Sequence, residues 1–349
     1  MSRPRYGYVR RSGRRKQRQW VLLFPLALVI TALLVGYRLP EDGGRLLTVS
    51  SGCETAEGCG PVVVVPPRCG YGGGCAPPRD EPATVGEVPP PEITARAAAV
   101  IEEPCGAVLY GENAHERLAP ASLTKLATAL VASERADLSD TVEVWVDGGE
   151  LAATTDSTVM GLQPGQRLSM RDLLYGLLLP SGNDAAIAIA EHVGITVPAF
   201  VDLMNDKVAQ LGLVDTHFTN PHGLDEAGLY TSAFDIAMVG RELVHQPELA
   251  AIVRTPTYQP AWDGPPLWNI NRLVYSYPGS LGVKIGYTDD AQQTIVAAAE
   301  RDGRRLIVSA LASSDIYEDA VSLLEWGFTG TQSACNAPGV STFDVSASR

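Results

Sequence analysis

The spacing of apolar residues changes character along the chain. From Trp20 to Tyr37 the run WVLLFPLALVITALLVGY carries no charge, whereas residues 38–92 are rich in Gly, Pro and Cys and show no helical period. Stiff pieces such as PVVVVPP and PPPE make that second stretch read as an extended stalk. Folded sequence begins near Ile93, where ARAAAVIEEPCGAVLYGE predicts two short strands around a turn at 102–106, then a loop to Pro120. Apolar residues next recur at helical spacing, predicting helices over 121–135, 170–178, 184–193, 197–212 and 232–244, interrupted by Pro and Gly. Beyond a Pro/Trp-rich loop at 255–268, the runs SLGVKIGYT, QTIVAAAE and RRLIVSAL predict three strands, the last two joined at Arg301-Asp302-Gly303. A helix over 315–328 closes the folded part. Strands at both ends with helices between them predict one α/β (α+β) domain over 93–330, in which the first and last segments share an antiparallel sheet; 331–349 is left as a tail. No period of 20 to 50 residues repeats.

Charge sharpens this division. The 349-residue chain has a net charge of −13, yet residues 1–19 hold eight Lys or Arg and no acid. A basic tail directly before an uncharged run of eighteen residues, about 27 Å as a helix, predicts a membrane span at 20–37 with its N-terminus in the cytoplasm. A cleaved signal peptide is the alternative, but no small-x-small cleavage site follows Leu34. The basic tail is read as setting orientation, and no nucleic-acid partner is expected. The acidic remainder then faces outward, anchored at the cell membrane. Six cysteines agree with an oxidising compartment. Cys53, Cys59, Cys69 and Cys75 are spaced too widely for a zinc site and are read as disulfides of open connectivity; Cys105 and Cys335, near the two ends of the folded part, are a further possible pair. Neither metal nor cofactor is expected.

Candidate chemistry begins in APASLTKLATAL. On a helix starting at Ser122, Leu123, Leu126, Ala127 and Leu130 form an apolar arc, while Ser122, Lys125, Ala129 and Ala132 form the adjoining face. Small residues there let another element approach and desolvate Lys125, which favours its neutral amine. Ser122, three residues back, could give its proton to that amine and act as a nucleophile at a helix N-terminus suited to an oxyanion. A capping serine and a solvated lysine would read the same way. Ser181-Gly182-Asn183, in the turn that Pro180 forces, offers a hydroxyl and an amide side by side. Lys284 lies on a strand beside Gly286, where an extended substrate could lie along the edge; an exposed edge-protecting lysine is the plainer reading.

Ser-x-x-Lys, Ser-x-Asn and Lys-x-Gly in this order resemble the signature of penicillin-binding proteins and β-lactamases. With PASLTK, LLYGLLLPSGNDAA, FTNPHGLD at 218–225, NRLVYSYPG at 271–279 and LLEWGF, the chain resembles D-alanyl-D-alanine carboxypeptidases from about Ala95 to Phe328. The resemblance implies a β-lactamase/DD-peptidase-like fold with a five-stranded antiparallel sheet and an inserted helical subdomain. It implies an acyl-enzyme on peptidoglycan stem peptides, with Ser122 as nucleophile and Lys125 as base. Ser181, with Lys125 or Lys284, would protonate the leaving D-alanine, Asn183 would hold the substrate amide, and the backbone N–H groups of Ser122 and Tyr287 would form the oxyanion hole. β-Lactams would acylate the same serine.

Four departures qualify the match. Ile285 stands where the family has a threonine whose hydroxyl helps bind the substrate's terminal carboxylate, and Ile316 stands near where relatives carry an arginine for the same group. Tyr287 replaces a histidine of some relatives. The chain is expected to lack the β-rich C-terminal domain of many relatives, its N-terminal span serving as anchor instead. The two isoleucines leave open a D,D-endopeptidase acting on cross-links, or a catalytically silent domain; a β-lactamase is disfavoured because Gly182 replaces Asp and 194–223 shows no Glu-bearing deacylation loop. His222 is read as stabilising its turn, and His115, His192, His217 and His245 as satisfied polar groups. Asp289-Asp290 is read as a solvated turn, and Trp262 and Trp268 as lining the cleft rim or pinning their loop.

Overall fold

The computed structural model describes residues 88–155, 157–262 and 264–336. The basic tail, the apolar run at 20–37, nearly all of the stalk with its four cysteines, and most of the tail at 331–349 lie outside the described residues. Among those described, no single helix is long and apolar enough to cross a membrane.

Two strands open the domain, β1 (Ala97–Glu103) and β2 (Ala107–Glu112). A 3₁₀ turn at Ala121–Leu123 leads into α1 (Thr124–Arg135). The helical body continues with β3 (Thr141–Glu143), α2 (Gly148–Thr155), β4 (Arg167–Ser169), α3 (Met170–Leu178), α4 (Asn183–Gly194), α5 (Val197–Gln210), α6 (Ala233–His245) and α7 (Pro247–Val253). After the small pair β5 (Thr257–Tyr258) and β6 (Leu267–Trp268) and the turn of helix α8 (Leu273–Ser276) come β7 (Ser280–Thr288), β8 (Gln292–Arg301), β9 (Arg304–Ser313) and α9 (Ile316–Thr329). The main sheet is antiparallel with order β2-β1-β9-β8-β7, so the two N-terminal strands sit beside the three C-terminal ones, as the strand pattern predicts.

Period-two alternation sorts this sheet into two cores. Ala97, Ala99 and Ile101 of β1, with Val296 and Ala298 of β8, face the helical body. Ala98 and Val100, with Ile295, Ala297 and Ala299, face the opposite way, under α9. Because both faces are covered, all seven residues of β1 are buried, and the strand reads as an unbroken apolar run ending in two acids. Those acids are paired. Glu102 accepts from Arg304 Nε at 2.8 Å and from the Ala334 N–H at 2.7 Å, while Glu103 binds Arg241 and, at 2.5 Å, His245. Beside them a disulfide joins Cys105 to Cys335, one of the pairings the sequence leaves open.

The structure also corrects details. The helix expected from 121 starts as a 3₁₀ turn and becomes α-helical only at Thr124. α2 and α7 are additional: α2 opens on two glycines with Asp147 capping the Glu150 N–H, and α7 starts at Pro247 immediately after α6, where a proline reads equally as a stop or a first helical residue.

Candidate active site

Helix α1 is enclosed from Thr124 to Ala132, packed by α3, α4, α5 and α6. The small face supposed to admit a neighbour does so, and Lys125 is 0% exposed. Its Nζ lies 3.0 Å from Ser122 Oγ and donates to Asn183 Oδ1 and to the His222 carbonyl, each at 2.7 Å. Burial drives the Lys125 pKa well below the ordinary lysine value, the charge of Lys284 lowers it further, and Asp184 opposes both. A neutral amine has two N–H bonds and one lone pair. Asn183 and His222 can take the two hydrogens, which leaves the lone pair for the Ser122 hydroxyl.

Each partner is fixed by its own local geometry. Ser181 stands in the turn after α3 with φ +70°, a strained left-handed conformation for serine, and its buried Oγ has no hydrogen-bond partner among the described residues. The Asn183 N–H donates to the Thr158 carbonyl at 2.8 Å. Asp184, fully buried, accepts four backbone N–H groups, from Met160, Gly161, Leu162 and Ala185, each at 2.9 Å. It clamps the 158–162 segment onto the start of α4. Its position directly after Ser-x-Asn, at the start of α4, is the signal in the sequence that points to it.

A second clamp holds the His222 carbonyl. Asn220 Oδ1 accepts from the N–H groups of His222 and Gly223, at 3.3 and 2.7 Å, and Thr128 donates to the Pro221 carbonyl at 2.6 Å. Gly223 has φ +91°, and a Cβ there would sit 1.9 Å from the Ala121 carbonyl oxygen, so only glycine fits. The His222 ring accepts from the Leu224 N–H at 3.2 Å, and burial, helped by the charge of Lys125, pushes its pKa down to about 3. This neutral imidazole stabilises its turn, as the sequence suggests, while its backbone carbonyl serves the site.

Strand β7, an edge strand of the sheet, supplies the opposite wall. A Cβ on Gly286 would lie 2.7 Å from the Ser122 nitrogen, so the strand backbone runs close against the nucleophile's turn. Thr294 of β8 braces that turn from below by donating to the Pro120 carbonyl at 3.2 Å. Lys284 is 1% exposed, which excludes the edge-protecting alternative; its Nζ donates to the Ile285 carbonyl at 2.8 Å, and burial lowers its pKa to about 7. Tyr287, next to Gly286 on β7, is 61% exposed. Ile285 packs on the core under α9, where Ile316 is buried.

Of the seven residues singled out from sequence, Ser122, Lys125 and Asn183 are directly bonded, Lys284 acts on Lys125 through its charge, and Gly286 lies against the Ser122 turn, while Ser181 and Tyr287 neighbour Asn183 and Gly286 along the chain. The arrangement holds a serine hydroxyl beside a buried amine, a second hydroxyl without a partner among the described residues, and a strand edge, groups of the kind that acyl transfer uses.

Comparison with known proteins agrees. The profile of the D-alanyl-D-alanine carboxypeptidase family matches residues 84–314. The D-alanyl-D-alanine carboxypeptidase DacF of Bacillus subtilis is 36% identical over 250 residues, 67% of this chain and 62% of the relative. The chain thus spans under two thirds of that relative's length. Among solved structures, a D-alanyl-D-alanine carboxypeptidase from Mycobacterium tuberculosis is 34% identical with a TM-score of 0.66, over 75% of this chain and 98% of that one. The Streptomyces K15 DD-transpeptidase is 29% identical with a TM-score of 0.66, over 69% and 99%.

Proposed function

Since this chain belongs to the D-alanyl-D-alanine carboxypeptidase family, we propose that it is a serine hydrolase that removes the terminal D-alanine from peptidoglycan stem peptides. Ser122 Oγ attacks the penultimate carbonyl while its proton passes to Lys125 Nζ. The N–H groups of Ser122 and Tyr287 hold the oxyanion, and Asn183 holds the substrate amide. When the tetrahedral species collapses, the C–N bond breaks and the departing D-alanine amine takes a proton through Ser181, supplied by Lys125 or Lys284. Water then repeats the sequence on the acyl-serine, releasing the shortened peptide and restoring the hydroxyl. β-Lactams acylate Ser122 in the same first step. The observation that carries this reading is Lys125: fully buried, its pKa lowered, and bonded to Ser122.

The basic residues 1–19 and uncharged run 20–37 support single-pass anchoring in the cell membrane, with the catalytic domain outside. The test is labelling of the full chain by a fluorescent penicillin, together with D-alanine release from a pentapeptide. Both are expected in the wild type and lost in Ser122→Ala; a wild-type chain that takes no label refutes the proposal.

A further inference from the structure

The next inference rests on the acyl transfer proposed at Ser122 and concerns what holds the backbone around that serine in place. Two chain segments press on the 3₁₀ turn that carries it. One is β7 at Gly286, where an added Cβ would lie 2.7 Å from the Ser122 nitrogen and 3.0 Å from the Ala121 Cβ. The other is the loop at Gly223, where an added Cβ would lie 1.9 Å from the Ala121 carbonyl oxygen. Both are contacts of bare backbone. They set how closely each segment approaches the turn, but they do not tie one segment to the other.

A carboxylate supplies that tie. Two residues beyond Gly223, Asp225 accepts from Thr288 Oγ1 at 2.6 Å through Oδ1 and from the Asp290 N–H at 3.1 Å through Oδ2. Thr288 stands two residues beyond Gly286 and ends β7. Its hydroxyl oxygen also accepts from the Ala291 N–H at 3.2 Å, so Asp225 grips a turn that is already braced. The contacts close a triangle, from the Ser122 turn to β7, from the end of β7 to Asp225, and from the Asp225 loop back to the Ser122 turn. That loop also sends the His222 carbonyl to Lys125 Nζ. Tyr287, whose N–H is a proposed oxyanion donor, lies between Gly286 and Thr288, the two residues so held. The sheet does not provide this restraint: β7 is an edge strand, and its ladder fixes it relative to β8 but not relative to the loop.

We propose that Asp225 is a positioning residue for the reaction. It reaches no reacting atom; through Thr288 and Asp290 it holds the end of β7 at the distance from Ser122 that lets the two oxyanion donors converge. A carboxylate suits the task because its two oxygens accept from two donors at once, whereas an amide offers one oxygen.

Asp225 is exposed, so its removal leaves the core packing intact. The test uses the full chain with Asp225→Ala, Asp225→Asn, Thr288→Val, the Asp225→Ala/Thr288→Val double variant and, as a control for loss of one surface charge, Asp202→Ala on α5. Three quantities are measured: the acylation rate with a chromogenic β-lactam, the Kd of a peptidyl boronic acid whose boron takes the serine oxygen as a fourth ligand, and the Kd of a pentapeptide in a Ser122→Ala background. Asp225→Ala is expected to slow acylation about tenfold, short of the roughly hundredfold cost of misplacement by about 1 Å. Boronate binding should weaken in parallel, while pentapeptide binding stays within about twofold, because only the tetrahedral species uses the oxyanion donors. Asp225→Asn should recover part of the rate, and Asp202→Ala should keep all of it. Thr288→Val should slow the Asp225→Ala enzyme less than it slows the wild type, the coupling expected of partners. Acylation of Asp225→Ala at the wild-type rate overturns the proposal. So does a slowing matched by Asp202→Ala, or one in which pentapeptide binding falls as far as boronate binding. Penicillin labelling separates these results from failure of the underlying reading: a labelled wild type with an unmoved Asp225→Ala rate refutes Asp225 alone, and an unlabelled wild type refutes both.

Discussion

Gly286 is the most exacting contact between the sheet and the nucleophile. Its backbone does not require glycine for conformational reasons, since its φ is not positive. What forbids a side chain is space: an added Cβ would stand 2.7 Å from the Ser122 nitrogen, 2.8 Å from Thr294 Oγ1 and 3.0 Å from the Ala121 Cβ, against 3.4 Å or more for an ordinary contact. In Gly286→Ala, β7 and the Ser122 turn must therefore separate by about 0.7 Å, and all three neighbours belong to a braced unit that gives little. Overpacking of this kind costs about 1–3 kcal/mol of stability. The larger effect falls on the reaction, because the same movement parts the two proposed oxyanion donors. Misplacement approaching 1 Å lowers the rate about a hundredfold. Stopped-flow acylation by a chromogenic β-lactam measures this, with a thermal melt alongside. Gly303→Ala is the control: its φ of +79° makes alanine strained, but nothing lies within 4 Å, so it should cost stability alone, at about 1 kcal/mol. Acylation of Gly286→Ala at the wild-type rate would refute the close approach.

Asp184→Asn presents an amide to four inward-pointing N–H groups, so at least one pair loses its acceptor; a loss of about 2–4 kcal/mol is expected in urea unfolding, and less than about 1 kcal/mol would deny the clamp. The pH dependence of kcat/KM should be bell-shaped. Its rising limb comes from Lys125, which must lose its proton to act as base; its falling limb lies near pH 7, where Lys284, charged below its pKa of about 7, loses the proton it offers the substrate. Lys284→Arg should abolish the falling limb, and an unchanged profile would remove Lys284 from the reaction. Replacing Cys105 and Cys335 together by serine should cost about 4 kcal/mol, given the long loop they close, without slowing acylation, since the disulfide lies at the opposite edge of the sheet from β7. Slower acylation at unchanged Ser122 geometry would contradict that separation.

The main elements were legible because their periods are clean: β1, β7, β8 and β9 are apolar runs between turn signals, and α1 shows a full apolar face beside a small-residue one. The site was legible wherever chemistry is carried by a side chain out of character with its surroundings, as with Lys125 in an Ala/Leu helix. It was not legible where chemistry is carried by backbone. The His222 carbonyl is a working part of the site, and no sequence pattern marks a carbonyl; only Gly223, whose missing side chain makes room for Ala121, records the packing that aims it. Lys284 was ambiguous for a related reason, since a strand edge faces solvent in some folds and here faces the turn of Ser122. Short elements such as α2 and α8 are imposed by tertiary contacts rather than by their own periodicity.

The pairing of β1 with β9, Ala97 opposite Leu311, has a consequence for how the chain matures. A ribosome delivers the serine long before β7, the strand that lies against it, and before β9, which joins β8 and β7 to β1, so a growing chain carries that hydroxyl unassembled until these strands have emerged. Such non-local closure makes folding slow and cooperative. Competence arrives only at completion, and a nascent or clipped chain ending short of β9 has neither a finished sheet nor a cleft to acylate.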